Sequence, residues 1–359
     1  MKVIKKKKIM NKIMNKIITL KMYLIFIIII FINGCNNRKD KNIDMQNKIL
    51  CIEDIYNKEG LYGGNFGDIV VYDADTFERF ILTNDKYFDY SPTYSKKYNI
   101  IMFESLRNYQ TYTGLTSQRD LLILDLSTNK IKKFDTEERF KEVNILHSEP
   151  SLSGDKKTNT DNFGPLFNHI GDKFLFYKRW GNLTKTVILY NFIDESFKII
   201  VDSLRNQANY IWSQNDSLVY YTKDKVRSIR ITKPNEIYNY NVYNKKVKSV
   251  MKDANKYFNV YDERDKKLLC VTKLLNKNVY RIEILDLITK EEIFSISTEE
   301  LGVDEIYSPI FKDSNNIIFV GQINKDNYNQ YLYKIKLDTK EIKKLSNNGG
   351  HKDCLSYIR

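Results

Sequence analysis

Apolar and polar positions alternate along most of this chain, in pairs of short segments separated by polar turns. In residues 124–134, for example, two alternating segments flank the turn Ser127-Thr128-Asn129. A period of two is typical of half-buried strands, and a turn rich in Asp, Asn, Thr and Lys between two strands predicts a β-hairpin. Such hairpins recur at residues 72–82, 124–134, 190–200, 240–250, 285–296 and 335–345.

A second pair of strands is predicted upstream of most of these hairpins. The pairs occupy residues 90–103, 164–177, 210–221, 258–271 and 307–320. Four strands in each unit of about fifty residues is the pattern of β-propeller blades. The abundance of Tyr and Phe, 26 and 19 residues, fits an all-β class because these residues favour pleated surfaces.

Five units are complete, and the two chain ends supply fragments of a sixth. The amino-terminal fragment, residues 49–52 and 68–82, contains three predicted strands, and residues 353–357 supply the missing first strand. We therefore predict an all-β, six-bladed β-propeller closed by pairing of the N- and C-terminal strands in one blade. Closure removes the open sheet edges that would otherwise pair with other chains.

One early segment does not alternate. Residues 22–32 form an apolar run that follows eight lysines and no acid, and the run ends at Asn33-Gly34-Cys35. Eleven apolar residues are too few to span a bilayer, which needs roughly 20. The segment resembles a bacterial lipoprotein signal peptide, in which the cysteine that ends the lipobox becomes acylated. Secretion with an ordinary cleaved signal and a short retained anchor remain alternatives, and Asn33 stands where that family usually has Ser or Ala.

The resemblance implies three segments: a signal peptide at 1–34, a lipidated N-terminus and flexible tether at 35–47, and the propeller domain at 48–359. It also implies an extracytoplasmic protein held on a bacterial membrane through Cys35. The sequence does not decide which membrane or leaflet holds the anchor, nor whether translation starts at Met1, Met10 or Met14.

The formal net charge of +13 comes mainly from the leader. Without residues 1–34, Lys+Arg falls from 58 to 50 against 45 acids, which leaves about +5 spread over both signs. Nucleic-acid binding would need basic residues clustered on one face. We therefore expect no nucleic-acid partner.

Three segments resemble the TolB-type propeller repeat, which carries Ser-Pro before an Asp-Gly-Lys turn between the first and second strands. They are Ser91-Pro92-Thr93-Tyr94-Ser95, Ser308-Pro309-Ile310-Phe311 and His169-Ile170-Gly171-Asp172-Lys173. The resemblance covers roughly residues 48–359, although Asp-Gly is missing from most copies. It implies the fold, and a propeller fold alone implies no activity.

Motifs of catalysis are missing from the sequence. The three histidines, His147, His169 and His351, lack metal-ligand spacing, and there is no Gly-x-Ser-x-Gly, His-Glu-x-x-His or Gly-rich phosphate loop. Asp73-Ala74-Asp75 is interpreted as a solvated turn rather than a calcium site, because Asp favours turns. We predict no catalytic residue, no metal and no cofactor, while an enzyme that uses carboxylates alone remains open.

Cys51 and Cys270 occupy the third position of second strands, which is apolar in the other units. We therefore predict that both are core thiols. A Cys51–Cys354 disulfide is not expected, because alignment places Cys354 opposite Ile52, and adjacent residues of a strand face opposite sides of the sheet.

Loops after second and fourth strands share one face of a propeller. After four successive second strands the chain carries basic or aromatic residues: Arg107, Tyr109, Arg179, Trp180, Lys223 and Lys273. The long connection from 135 to 163 belongs to the same face. Basic and aromatic residues on this face, at the opening of the central channel, would bind an anionic or glycan-like ligand by charge and stacking. The simpler interpretation, which we favour from sequence alone, is that a chain rich in Lys and Tyr places them on loops by chance.

These observations predict a monomeric, lipid-anchored extracytoplasmic propeller that is a binding or scaffold module for an envelope protein or a surface glycan. The alternative is an extracytoplasmic enzyme, a hydrolase or lyase, acting on polysaccharide or peptide.

Overall fold

A computed structural model describes residues 43–54, 67–85, 87–106, 120–134, 162–180, 184–205, 209–224, 234–277, 279–323, 329–346 and 352–358. Only the backbone is described for residues 54, 162, 163, 178–180, 184, 203, 205, 224, 353 and 354. The described elements belong to one compact unit that begins at Met45.

The strands are β1 (Lys48–Asp54), β2 (Gly67–Asp73), β3 (Arg79–Ile81), β4 (Asp89–Ser95), β5 (Ile100–Ser105), β6 (Asp120–Asp125), β7 (Lys130–Lys133), β8 (Asn162–Phe167), β9 (Lys173–Trp180), β10 (Thr184–Asn191), β11 (Ser196–Arg205), β12 (Tyr210–Trp212), β13 (Leu218–Asp224), β14 (Asn235–Asn241), β15 (Val247–Lys252), β16 (Lys256–Arg264), β17 (Lys267–Leu274), β18 (Val279–Asp286), β19 (Glu292–Ser297), β20 (Glu305–Phe311), β21 (Asn316–Ile323), β22 (Asn329–Lys336), β23 (Ile342–Lys344) and β24 (Lys352–Ile358).

These strands form six four-stranded antiparallel sheets, which are the blades of a propeller. Blade A has the spatial order β24-β1-β2-β3, and blades B to F each contain four strands consecutive in sequence, starting at β4, β8, β12, β16 and β20. The predicted all-β, six-bladed propeller is confirmed. The first strand of each blade is innermost, since neighbouring first strands such as β4 and β8, or β16 and β20, contact one another.

Blade A joins the two ends of the chain. Strand β24 is hydrogen-bonded to β1 in antiparallel register, with Leu50 opposite Ser356. The register predicted at Cys354 was wrong by one residue. Asp353 lies opposite Ile52 because the pairing shifts at a bulge between Leu50 and Ile52.

The core lies between neighbouring blades. Each cluster of buried side chains combines residues from two adjacent sheets, for example Phe134 of blade B with Phe174 and Tyr190 of blade C. The Phe134 ring packs edge-on against both rings, with centroids 5.6 and 5.4 Å away. Cys51 and Cys270 lie in two of these clusters as fully buried core residues, as predicted.

In blades A to E, the turn between the third and fourth strands is built by an Asp or Asn at the end of the third strand. Asp73, for example, accepts hydrogen bonds from the backbone N–H groups of Asp75 and Thr76. It also accepts one from Lys48 Nζ at 2.8 Å, and that bond is the main reason why the pKa of Asp73 is held below its usual range. The interpretation of Asp73-Ala74-Asp75 as a turn agrees with these bonds.

One short helix, α1 (Thr298–Leu301), connects blades E and F and was not predicted. Ser297 and Glu300 form a capping box around its first turn, and Leu301 is buried in the core between these two blades. Within the described part of the chain, no helix has the length and apolar character needed to cross a bilayer.

Candidate functional site

The propeller has two ends with different connections. The end where first strands turn into second strands, and third into fourth, is called the turn face. The end where second strands lead to third strands, and each blade leads to the next, is called the loop face. Every first strand therefore runs from the loop face to the turn face.

A cavity of about 150 Å³ lies on the axis at the turn face. It is lined by the carboxyl-terminal part of a first strand from every blade, with Thr93, Phe167, Trp212, Tyr261, Ile310 and Tyr357 among the lining residues. Lys96 and His169 supply charged or titratable groups at its edge. The lining thus combines aromatic and apolar side chains with polar and charged ones, among them Asn168 and Asp262.

Bulges in the first strands shape this axial region. Ser91, Gly164 and Ser308 each precede a proline and have left-handed φ angles of 47°, 60° and 44°. The register of each of these strands shifts at the same residues. Proline lacks an N–H group, so it fits where the bulge interrupts the ladder. The Ser91-Pro92 and Ser308-Pro309 pairs of this chain are therefore bulges in innermost strands.

His169 and Asp216 form a polar contact between blades C and D. Asp216 Oδ1 lies 2.8 Å from His169 Nδ1 and also accepts the backbone N–H of His169, while Oδ2 accepts the backbone N–H of Ile170. Burial by itself raises the pKa of Asp216, but the hydrogen bonds from His169 and Ile170 lower it below its usual value. The carboxylate of blade D holds the first-to-second turn of blade C in place, so this pair is a structural contact between blades.

Other polar groups at the cavity are also bonded within the protein. Asp262 accepts the backbone N–H groups of Glu263 and Phe311, and Trp212 Nε1 donates to the Leu166 carbonyl. Tyr357 donates its hydroxyl proton to Asn47. These polar groups of the lining are therefore already hydrogen-bonded within the protein.

The residues predicted to bind a ligand map to the loop face. Arg179 and Trp180 end β9, Lys223 lies one residue before the end of β13, and Lys273 lies one residue before the end of β17. They belong to the strands rather than to the loops after them, because pairing with the third strands continues to these residues. Arg107, Tyr109 and the predicted lipidation site Cys35 lie outside the described residues, as does the connection 135–161.

Three of these residues occupy one equivalent position. Counting three residues beyond the buried third position of each second strand gives Arg179, Lys223 and Lys273 in the consecutive blades C, D and E. The same position holds Asp54, Ser105 and Gln322 in blades A, B and F. Lys223 lies opposite Glu236, and the Lys273 ammonium lies 5.2 Å from the ring centroid of Tyr280. The basic residues thus form an arc over one half of the loop face.

Sequence reasoning missed a buried lysine near the same face. Lys185 in β10 is 3% exposed, and its Nζ lies 4.2 Å from the ring centroid of Tyr177 and 5.6 Å from that of Tyr210. Burial lowers the pKa of Lys185 to about 7, against the attraction of Glu104. The sequence contains a signal for this burial. Lys185 alternates in phase with the core residues Val187 and Leu189, so it lies on the same side of the strand as they do.

No cluster of three or more His, Cys, Asp or Glu side chains that could hold a metal ion occurs within the described ranges.

No family model matches the sequence, and a search of curated proteins finds no match. Solved structures do match. TolB from Acinetobacter baumannii has a TM-score of 0.62 at 15% identity, covering 88% of this chain and 67% of that one. The fold of this chain is therefore similar to that of the TolB propeller. A putative TolB from Agrobacterium tumefaciens matches with a TM-score of 0.52 at 9% identity over 86% of this chain and 92% of its own.

The propeller of this chain is also similar to a propeller from a protease. The β-propeller domain of the Trilobed protease from Pyrococcus furiosus, described as having an open velcro topology, matches with a TM-score of 0.51 at 16% identity. That match covers 85% of this chain and 82% of the other. At these identities the likeness is one of fold, so the site has to be argued from the residues of this chain.

Proposed function

We propose that this protein is a lipid-anchored extracytoplasmic β-propeller that binds an envelope protein or a surface glycan on its loop face. The lipid is attached to Cys35 after removal of residues 1–34, and a short tether connects it to the propeller. The anchor is supported by the apolar run that ends at Asn33-Gly34-Cys35. The propeller is monomeric and uses no cofactor.

The observation that carries the binding proposal is the basic arc. Arg179, Lys223 and Lys273 recur at one position of three consecutive blades, so they face the same end of the ring. Random placement of lysines on loops does not explain why the residues share one register position within strands. A ligand that covers this half of the loop face meets three cations together.

Aromatic groups accompany these cations. Lys273 already packs over the ring of Tyr280, and Trp180 follows Arg179 in β9. Alternating cations and rings suit an anionic glycan or an acidic protein surface, because charge attracts the ligand while ring faces stack on sugars. In this proposal Arg107 and Tyr109, which follow the second strand of blade B in sequence, also contribute to binding.

The anchor is tested by the intact mass of the protein purified from membranes. We expect a mature chain that begins at Cys35 and carries acyl chains, whereas a Cys35→Ser variant leaves the membrane fraction. A mature chain without acyl mass would contradict the anchor.

The binding site is tested by a triple charge reversal, Arg179→Glu with Lys223→Glu and Lys273→Glu, in the full acylated chain. The matched control reverses three exposed lysines of outer strands, Lys132→Glu, Lys248→Glu and Lys343→Glu, so that net charge changes equally. With polygalacturonate as an anionic glycan probe, and with cross-linked capture from membranes for a protein partner, we expect roughly tenfold weaker binding in the first variant only. Equal binding by both variants would contradict the proposal, and release of sugars or cleavage of captured peptide would favour the enzyme alternative.

A further inference from the structure

Three turns of the turn face carry exposed apolar side chains. Two residues after the end of the third strand, blades C, D and E have Ile193, Tyr243 and Ile288, which are 63%, 74% and 68% exposed. The equivalent positions in blades A, B and F are Asp75, Ser127 and Asp338. These three apolar residues are called the apolar arc, and they follow one another around one half of the ring.

Turn geometry does not require apolar residues here. The backbone N–H groups of Ile193, Tyr243 and Ile288 are bonded to the side chains that end the third strands. Asp75 and Ser127 make the same bond in blades A and B, so a polar residue builds the turn equally well. Large apolar side chains are thus exposed to solvent at three equivalent positions where the turn does not need them. Such grouped exposure indicates a surface that contacts a partner.

Further apolar residues lie at the same end of the same blades. Ile170, in the first-to-second turn of blade C, is 60% exposed. Val247 and Ile293, near the starts of β15 and β19, are about half exposed. The apolar character thus extends along blades C to E on the turn face.

The chain enters the propeller at this same face. Lys48, the first residue of β1, lies opposite Asp73, and the side chain of Asn47 donates to Asp75 at the tip of the blade A turn. In a ring of six blades, blade A stands across from blade D. The point where the chain enters the propeller, at Asn47 and Lys48, and the apolar arc are therefore on one face but on opposite sides of the axis.

The distance from the anchor is short. Nine residues lie between Cys35 and Met45, so the two are separated by ten Cα–Cα steps. They reach at most about 36 Å when fully extended, and about 17 Å on average as a flexible chain. A lipid on Cys35 consequently keeps the turn face close to the bilayer.

We propose that the apolar arc is a bilayer-docking surface, with Ile193, Tyr243 and Ile288 inserted between lipid headgroups while the Cys35 lipid holds the other side of the same face. This rests on the anchor proposed above. Docking at both sides orients the loop face, with its basic arc, away from the membrane and toward partners.

The charges beside the apolar arc nearly balance. Asp194 and Glu195 follow Ile193, Lys245 and Lys246 follow Tyr243, and a Lys-Glu pair follows Ile288. Insertion of apolar side chains, with Tyr243 at the headgroup level, therefore supplies the attraction. We expect vesicles of neutral phosphatidylcholine to bind the arc about as well as vesicles that contain phosphatidylglycerol.

The docking is tested by fluorescence of the full acylated chain in vesicles of phosphatidylethanolamine and phosphatidylglycerol with brominated acyl chains. Tryptophan is introduced singly by Ile193→Trp, Tyr243→Trp and Ile288→Trp, with Ile323→Trp at the loop-face end as the matched control. The unsubstituted chain corrects for Trp180 and Trp212. We expect bromine quenching at the three arc positions and none at position 323. Quenching at the arc no greater than at position 323 would overturn the docking.

Failure of the anchor and failure of the docking give different results. An acylated mass without quenching overturns the docking and leaves the anchor intact. If the mass shows no acylation, the anchor fails, and co-sedimentation of the chain with the same vesicles decides the docking. The test compares the unsubstituted chain with the triple variant Ile193→Ser, Tyr243→Ser, Ile288→Ser. Roughly tenfold weaker partition of the variant into vesicles supports the docking, and equal partition overturns the docking.

Discussion

Glu53 and Lys352 form a buried ion pair that links the two ends of the propeller. Lys352 Nζ lies 2.8 Å from Glu53 Oε1, between residues 299 positions apart in sequence, and both side chains are shielded from solvent. The other carboxylate oxygen accepts hydrogen bonds from the Tyr72 hydroxyl and from Arg79 Nε, at 2.7 and 2.8 Å. One carboxylate therefore contacts a side chain from each of the other three strands of blade A.

Replacing Glu53 by Gln is expected to destabilise the protein strongly. Lys352 would remain buried without a counter-charge, which costs about 3–5 kcal/mol of unfolding free energy. Urea denaturation at pH 7 measures the change. The exposed pair of Lys312 with Asp75 supplies a control, since Lys312→Gln should cost less than about 1 kcal/mol. Equal losses in the two variants would contradict a special role for Glu53.

The same pair predicts a pH dependence. Burial alone would raise the pKa of Glu53, but Lys352, helped by Tyr72 and Arg79, lowers it below the reference value of 4.5. The folded state thus holds its proton less tightly than the unfolded chain does. The stabilisation is fully present above about pH 4.5 and is lost as the pH falls through the folded pKa. The stability difference between the wild type and Glu53→Gln should be constant near neutrality and shrink in acid.

The blades could be predicted from sequence, but the contacts that join their ends could not. Period-two alternation and polar turns mark each hairpin, so the strand count follows from local pattern. The pairing of Glu53 with Lys352 depends on a bulge between Leu50 and Ile52 that no local signal marks. Both residues also lie near strand ends, where a charged side chain ordinarily indicates solvent.

The candidate site was predicted in part. The sequence marks Arg179, Lys223 and Lys273 as basic residues near the ends of second strands, but it predicts that these strands end earlier than they do. Their equivalence depends on the continued pairing of Lys223 with Glu236 and of Lys273 with Tyr280. A single sequence shows the residue types, whereas the shared position around the axis needs three-dimensional register.

Gly171 should not tolerate a side chain. Its φ of +83° is left-handed, and a Cβ would lie 2.7 Å from Ser95 Oγ and 2.9 Å from the backbone N of Lys96. The clash would also displace Ser95 Oγ from the Gly171 carbonyl, which it now contacts at 2.6 Å. We expect Gly171→Ala to lower the unfolding free energy by roughly 2–4 kcal/mol.

Gly302 provides the control for Gly171. Its φ of +66° is also left-handed, but no atom lies within 4 Å of the position that a Cβ would occupy. Gly302→Ala therefore measures backbone strain alone, about 1 kcal/mol. Denaturation midpoints that fall equally in both variants would show that the contact with Ser95 is unimportant.

Asp216→Asn should weaken the junction between blades C and D. The carboxylate accepts from the backbone N–H groups of His169 and Ile170 and from Asn168 Nδ2. In the Asn variant, an NH₂ donor replaces one carboxylate oxygen and faces these N–H donors without an acceptor between them. We expect this to lower the unfolding free energy by roughly 2–4 kcal/mol. Thermal unfolding at pH 7 measures the loss, and Asp265→Asn at a neighbouring exposed site is the control. A midpoint unchanged from wild type in Asp216→Asn would contradict the assignment.

Lys185→Met should stabilise the protein near neutral pH. Lys185 is buried beside Tyr177 and Tyr210, and burial lowers its pKa to about 7 from 10.5. Below the folded pKa, Lys185 is charged inside the protein, and the loss of its hydration destabilises the folded state. Between the folded and the unfolded pKa, Lys185 is neutral in the folded protein but protonated in the unfolded chain. Wild-type stability therefore rises from pH 7 toward pH 10 relative to the variant.

We would measure the unfolding free energies of Lys185→Met and of the wild type in urea at pH 7, 8 and 9. The pH dependence of their difference separates the cost of burying the Lys185 charge from changes in packing. The variant also loses the contact between the Lys185 ammonium and the Tyr177 ring. This loss offsets part of the stabilisation, and it is about the same at every pH at which Lys185 is charged. The advantage of the variant should shrink by about 2 kcal/mol from pH 7 to pH 9. Lys132→Met, at an exposed position of β7, controls for the loss of a lysine. A difference that stays constant over this range would mean that Lys185 keeps its proton in the folded protein, with Glu104 compensating its burial.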